Sequence, residues 1–196
     1  LAVRGSPDCG PWTSQQNANQ RTQKQVDNLN KKRRKSEGMI SNVLDILEYQ
    51  IQHGDSIFEH PLGALSWNSI PELQRFLNKY TEGTVHGCAY GQKACDVARF
   101  VKKKWRLVSN NSSLMTYMHR LCQNNYDHVT IEGRDRTRES ARYPMAMARK
   151  CCFILLETQQ RFSGRCKLFL CTTTTILRRH DDRPRPRMRD ECDGGM

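Results

Sequence analysis

The chain has no run approaching the roughly 18 apolar residues that a membrane-spanning helix needs. No stretch shows the charged-then-apolar pattern of a secretory signal. Regular cysteine spacing is missing too. The nine cysteines (Cys9, Cys88, Cys95, Cys122, Cys151, Cys152, Cys166, Cys171 and Cys192) are odd in number and irregularly placed, which argues against a secreted disulfide framework. No Cys-x-x-Cys pair is present, and no internal repeat. A reducing intracellular compartment is the simpler setting.

Acidic residues are in deficit. Against 32 Lys and Arg stand 20 Asp and Glu, a net charge of +12. Such a balance favours polyanionic partners, nucleic acid first among them, although a merely soluble basic surface has the same charge. Residues 1–157 carry 23 basic and 15 acidic residues, and residues 158–196 carry 9 and 5. At 196 residues the chain is one domain with or without an appendage. Beyond residue 157 the character changes. A threonine run at 172–175 and Arg183-Pro184-Arg185-Pro186-Arg187 cannot build a core, so 158–196 reads as a basic, low-complexity, disordered tail.

The periodicity of residues 1–157 predicts an α/β fold. Asn17 to His53 reads as mostly helical, with Met39, Ile40, Val43, Leu44, Ile46, Leu47 and Ile51 at helix period. Ile57-Phe58 is a short buried strand. A helix begins near Asn68 or Ser69 with Pro71 in its first turn. Strands follow at 84–90 and 105–109, separated by a basic loop. Ser112 or Ser113 starts a helix to Cys122, 123–138 is a polar loop, and a last helix spans about 140–158. Strands alternating with helices suit an open, mainly parallel sheet with flanking helices.

Ser6-Pro7-Asp8-Cys9-Gly10-Pro11-Trp12-Thr13 follows the apolar start Leu1-Ala2-Val3, and Glu59-His60-Pro61 closes the next short apolar run. Ligands bind at strand ends in open α/β sheets. A thiol and a carboxyl at neighbouring strand ends make a nucleophile and an acid. On these residues the chain resembles the DNA cytosine 5-methyltransferases. Their nucleophile motif reads roughly Ser-Pro-Pro-Cys-x-x-Phe-Ser, and their second motif Glu-Asn-Val or Glu-Asn-Pro. The resemblance implies a partial Rossmann-like methyltransferase sheet over residues 1–157, the C-terminal part of a catalytic domain. Cys9 stands at the nucleophile and Glu59 at the acid that holds the base. Tyr90-Gly91 and then Lys104-Trp105-Arg106 resemble a Tyr-Gly, loop, Arg-x-Arg motif, which places Arg106 against the base or the nucleophile. The Tyr143-Pro144 segment resembles the closing helix.

The same resemblance implies a flipped cytosine in DNA as substrate, a nuclear location in a eukaryote, and S-adenosylmethionine as methyl donor; the basic charge admits RNA as well as DNA as a partner. Three departures count against activity. Asp8 replaces a proline and should raise the thiol pKa. The Gly-rich cofactor loop expected ahead of Leu1 is absent from the sequence, and so is a sizeable target-recognition region between Arg106 and Ser140. The expectation is a fragment or degraded copy with little methyl transfer of its own.

Plainer accounts exist for each residue. Cys9 suits a small buried residue at a turn, Glu59 a helix cap or a lysine partner, and Arg106 a solvated strand position. Lys102, Lys103 and Lys104 beside Trp105 combine positive charge with an aromatic, as phosphate and base contacts do. A rival function is therefore a non-catalytic nucleic-acid-binding module of a larger polyprotein, such as that of a mobile element. A third is a zinc-stabilised interaction domain. His86, Cys88, His119, Cys122 and His128 are ligand types, and His119-x-x-Cys122 has ligand-like spacing. Positions 119 and 122 also share one face of an ordinary helix, and the sequence reading assigns no metal. The zinc reading requires Cys122 and His128 to converge with other ligands.

Overall fold

A 29-residue helix organises one side of the molecule. In this computed structural model the described residues are 2–19, 22–94, 99–125, 127–129, 131 and 142–163, with side chains to 157. Their elements run β1 (Ala2–Gly5), a 3-10 turn (Gly10–Trp12), α1 (Ser14–Ala18), α2 (Gln23–Ile51), β2 (Asp55–Pro61), α3 (Ser66–Ser69) and α4 (Pro71–Lys79). There follow β3 (Thr81–His86), a second 3-10 turn (Gly87–Tyr90), β4 (Phe100–Val101), β5 (Lys104–Ser109), α5 (Ser112–Met118), β6 (His128–Val129) and α6 (Met145–Ser163). The expected tail boundary at 157 falls inside α6, and residues 164–196 lie outside the described residues.

The start of α2 is set by a capping box. Thr22 Oγ1 accepts from the Gln25 backbone N–H at 3.3 Å, and Gln25 Oε1 accepts from the Thr22 N–H at 3.0 Å. Its inward stripe is Leu29, Ser36, Ile40, Leu44, Leu47 and Gln50. Met39 and Ile46, expected on that stripe, are exposed. Helix α5 is capped by Asn111, whose Oδ1 accepts from Leu114 N–H at 2.9 Å, rather than by Ser112 or Ser113.

Four strands form one sheet in the order β1-β2-β5-β3. β1 and β2 are parallel, with Arg4 opposite Ile57 and Gly5 opposite Phe58. β5 is antiparallel to both β2 and β3. The sheet is therefore mixed, which corrects the expectation of a mainly parallel one. Parallel neighbours need a crossover, and α2 supplies it between β1 and β2. The chain leaving β3 instead returns as β5, antiparallel, between β2 and β3. The short strands β4 and β6 pair separately.

Alternation along the strands splits the core. Phe58 and Val108 face one side, packing with Trp12, Ile40, Leu44, Leu47, Trp67, Leu73 and Phe76 from α2, α3, α4 and the first turn. Ile57, Val85, Trp105 and Leu107 face the other, with Leu114, Met115, Met118, Met147 and Ile154 from α5 and α6. β2 is buried from Ser56 to His60, as a central strand covered on both faces must be.

Gly5 of β1 packs directly against α2. A Cβ there would overlap Val43 Cγ1 and lie 3.2 Å from Leu47 Cδ1. Gly38, on the outer face of α2, has open space around it. Gly5→Ala should therefore destabilise the protein by about 1–3 kcal/mol through overpacking. Gly38→Ala should stabilise it by about 0.5–1 kcal/mol through helix propensity. Urea unfolding midpoints of the two variants, moving in opposite directions, check this; a neutral Gly5→Ala would contradict the described packing of β1 on α2.

Candidate functional site

The turn after β1 is held from below by α2. Ser36, buried on that helix, donates its hydroxyl to the Asp8 carbonyl at 2.9 Å and accepts from Trp12 Nε1 at 2.9 Å. Arg33 Nε donates to the Pro11 carbonyl at 3.1 Å. Asp8 Oδ1 accepts from the Gly10 N–H at 2.9 Å, and the Trp12 N–H donates to the Cys9 carbonyl at 3.0 Å. Cys9 is thus fixed on a braced turn at the C-terminal end of β1. Its side chain is half-buried.

Glu59 lies near the C-terminal end of the neighbouring parallel strand and is 2% exposed. Its Oε2 accepts from Ser6 Oγ at 2.6 Å and from the Tyr143 hydroxyl, and Arg4 Nη2 stands 3.4 Å away. The Arg4 guanidinium lies over the Tyr143 ring, 3.7 Å from its centroid. Tyr143 in turn packs on Trp105, with centroids 5.3 Å apart. Burial raises the Glu59 pKa above the usual carboxylate range, against the opposing pull of Ser6, Arg4 and Lys103.

Lys103 completes the group. Lys103 is near enough to Cys9 and Glu59 to perturb the ionisation of both, and Glu59 also acts on Cys9. Burial raises the Cys9 thiol, Lys103 pulls it down, and Asp8 and Glu59 push it up. Burial lowers Lys103, opposed by Cys9 and Glu59. The Lys103 backbone is anchored where its carbonyl accepts from the Gly87 N–H at 2.7 Å.

Other expected residues fall elsewhere. In the β2–β5 register Leu107 lies opposite Glu59, and Arg106 opposite His60. Arg106 therefore points to the other face of the sheet. There it stacks on Trp67, 5.1 Å from the ring centroid, and reaches Glu82 at 3.4 Å. It does not join Cys9 and Glu59. Trp105 is 2% exposed, so its ring is a core residue and not a surface platform for bases. Lys104 is exposed at the start of β5, and half-buried Lys102 binds the Asn124 side chain. His60 is fully buried between Phe58 and Trp67, and burial lowers its pKa to about 4, so it stays neutral.

Sequence reasoning missed Arg4, Ser6 and Tyr143 as partners of Glu59. Arg4 and Ser6 are legible in hindsight, since residues on and just past a strand face its parallel neighbour. Tyr143 is 84 residues from Glu59 in the chain, and no local pattern connects them.

Comparison with protein-family models, with curated proteins and with solved structures found no match to the chain. The S-adenosylmethionine expectation therefore rests on the fit of the residues themselves, and they do not fit. The turn after β1 contains Gly10, but Pro7 and Pro11 remove the run of N–H donors that a Gly-rich loop offers. The acidic residue at the next strand end, Glu59, is closed off by Arg4, Ser6 and Tyr143. An apolar cavity on this face, lined by Arg4, Ile57, Leu107, Met118, Tyr143 and Met147 among others, has no carboxylate to receive ribose hydroxyls.

The electrostatics of Cys9 predict its reactivity. With the thiol held above its usual pKa, alkylation by iodoacetamide should rise with pH through a midpoint higher than the free-cysteine value of about 8.5. Lys103→Met removes the charge that favours the thiolate and should move the midpoint higher still. Peptide mass spectrometry of Cys9 across pH reads both; an unmoved midpoint in Lys103→Met would contradict the placement of Lys103.

Proposed function

We propose that the chain carries the base-reacting part of a site like that of the DNA cytosine 5-methyltransferases, with Cys9 as nucleophile and Glu59 as acid. The observation that carries this reading is a thiol and a buried carboxyl of raised pKa at the ends of two parallel neighbouring strands, with Lys103, from the chain leading into β5, close enough to act on both. Cytosine C5 is a poor nucleophile until a thiolate adds at C6. That addition uses the C5=C6 π electrons, and a proton or hydrogen bond at N3 stabilises the charge that develops. A carboxyl whose pKa is raised by burial is suited to the N3 role, as buried catalytic acids are in other enzymes. Lys103 favours the Cys9 thiolate when the site is charged.

The net charge of +12 supports a polyanionic substrate. A base within a duplex is out of reach of a thiol on a sheet rim, so the target cytosine would be flipped out of the stack. Transfer of a methyl group needs a donor site that the described residues do not supply. The reaction assigned to this chain is accordingly the addition and its reversal.

That step has its own readout. After Cys9 adds to C6, C5 takes a proton from water; loss of the original C5 hydrogen and expulsion of the thiolate restore the base. Cytosine carrying tritium at C5 in duplex DNA should therefore lose it to solvent in the presence of the protein. Cys9→Ser should abolish the exchange, and Glu59→Gln should slow it by about 10²–10⁴-fold. Exchange that survives Cys9→Ser unchanged would overturn the assignment.

A further inference from the structure

Away from the Cys9 rim, three segments meet at a second cluster. Cys88 sits in the 3-10 turn after β3, Cys122 follows α5, and His128 opens β6. Their Sγ, Sγ and ring-nitrogen atoms all lie within 4.8 Å of one another. We infer that Cys88, Cys122 and His128 bind a zinc ion, with water or one further donor completing four ligands.

The donor atoms are spaced within reach of one tetrahedral ion. Zn–S bonds of about 2.3 Å and Zn–N bonds of about 2.0 Å at tetrahedral angles place sulfur and nitrogen ligands about 3.5 Å apart, and two sulfurs about 3.8 Å apart. Cys122 Sγ and His128 Nε2 are 3.4 Å apart. Two thiolates and an imidazole are a soft donor set, which selects zinc over magnesium or calcium. Their two negative charges also balance the dication.

The surroundings orient these ligands in the way that outer partners of metal sites do. The Asn124 N–H donates to Cys122 Sγ at 3.2 Å, across a turn in which Asn124 takes a left-handed backbone, φ 56°. The Cys122 N–H donates to His86 Nδ1 at 2.9 Å, which fixes the cysteine from its other side. On the third segment Gly91, at φ 82°, closes the turn that presents Cys88.

A metal here would add to a small apolar cluster among the described residues. The apolar cluster under β4 and β6 is Ala94, Val101 and Val129, with Ile131 against it. A two-stranded sheet on so small a core needs a staple, and a structural metal is one way to supply it. The Cys88 turn also begins at Gly87, whose N–H binds the Lys103 carbonyl. The ion would therefore brace the loop that delivers Lys103 to the Cys9 rim. The assignment itself depends on no reaction at that rim.

Elemental analysis of the full chain, purified with reductant and zinc, should find at least one zinc per chain, as the ligand cluster among the described residues requires. After removal of zinc, titration with cobalt should give the intense thiolate-to-cobalt charge-transfer band and the visible bands of tetrahedral geometry. Cys88→Ser, Cys122→Ser and His128→Gln should each cut zinc content at least tenfold, whereas His119→Ala, outside the cluster, should leave it unchanged. Zinc retained in full by a Cys88→Ser/Cys122→Ser variant would overturn the proposal. If those variants fail to fold, the unaltered protein decides. Zinc should slow alkylation of Cys88 and Cys122 at least tenfold relative to chelator-treated protein. Equal rates, or a Cys88–Cys122 disulfide in protein kept under reductant, would overturn the site.

Discussion

The Glu59 carboxyl joins parts of the chain that are far apart in sequence. A carboxyl buried to this degree is costly unless its oxygens find donors. Here Arg4 comes from β1, Ser6 from the turn after it, and Tyr143 from the approach to α6. The need to satisfy one side chain thereby ties the first strand, the Cys9 turn and the last described helix to the central strand β2. Removing the carboxyl would leave Arg4 and Ser6 without their acceptor. Its raised pKa also sets a direction for pH. The native state keeps this proton above the pH at which the unfolded carboxyl releases it. Stability from this group is therefore present at low pH and declines as pH rises through the raised value.

Cys9 is positioned by a separate device. The Ser36 hydroxyl, in the middle of the apolar face of α2, accepts from Trp12 and donates to the Asp8 carbonyl. A buried hydroxyl with both capacities used is a rigid link. It places the turn at a set height above the sheet, and Arg33 adds a second tie at Pro11. The site thus stands on two rigid supports, α2 beneath Cys9 and β2 beneath Glu59. Lys103 arrives on a third element, the chain leading into β5, which Gly87 and the Cys88 turn hold in place.

Much of this arrangement could be read from local pattern. The long helix, the burial of Ile57-Phe58 and the position of Cys9 and Glu59 past apolar runs all follow from periodicity and turn chemistry. What could not be read has identifiable physical causes. Strand direction is set by which neighbour a strand pairs with, so the antiparallel insertion of β5 left no local signal. Arg106 and Trp105 exchange faces with a one-residue shift of register, and only the pairing with β2 shows that Trp105 faces the core beside Tyr143. The buried stripe on α2 is narrower than its seven apolar positions, with Met39 and Ile46 at its exposed edges. Cys88, Cys122 and His128 have no zinc-finger spacing, since the fold itself brings them together.

The central claim is that Cys9 is a nucleophile toward a pyrimidine held at this rim. The most direct measurement uses duplex DNA with 2-pyrimidinone in place of target cytosines, a base whose C6 accepts a thiolate readily and releases it slowly. After incubation, nuclease and protease digestion and mass spectrometry locate the adduct. The account predicts a covalent adduct on Cys9 ahead of every other cysteine. An adduct on another cysteine, or DNA binding with no adduct at Cys9, would contradict it.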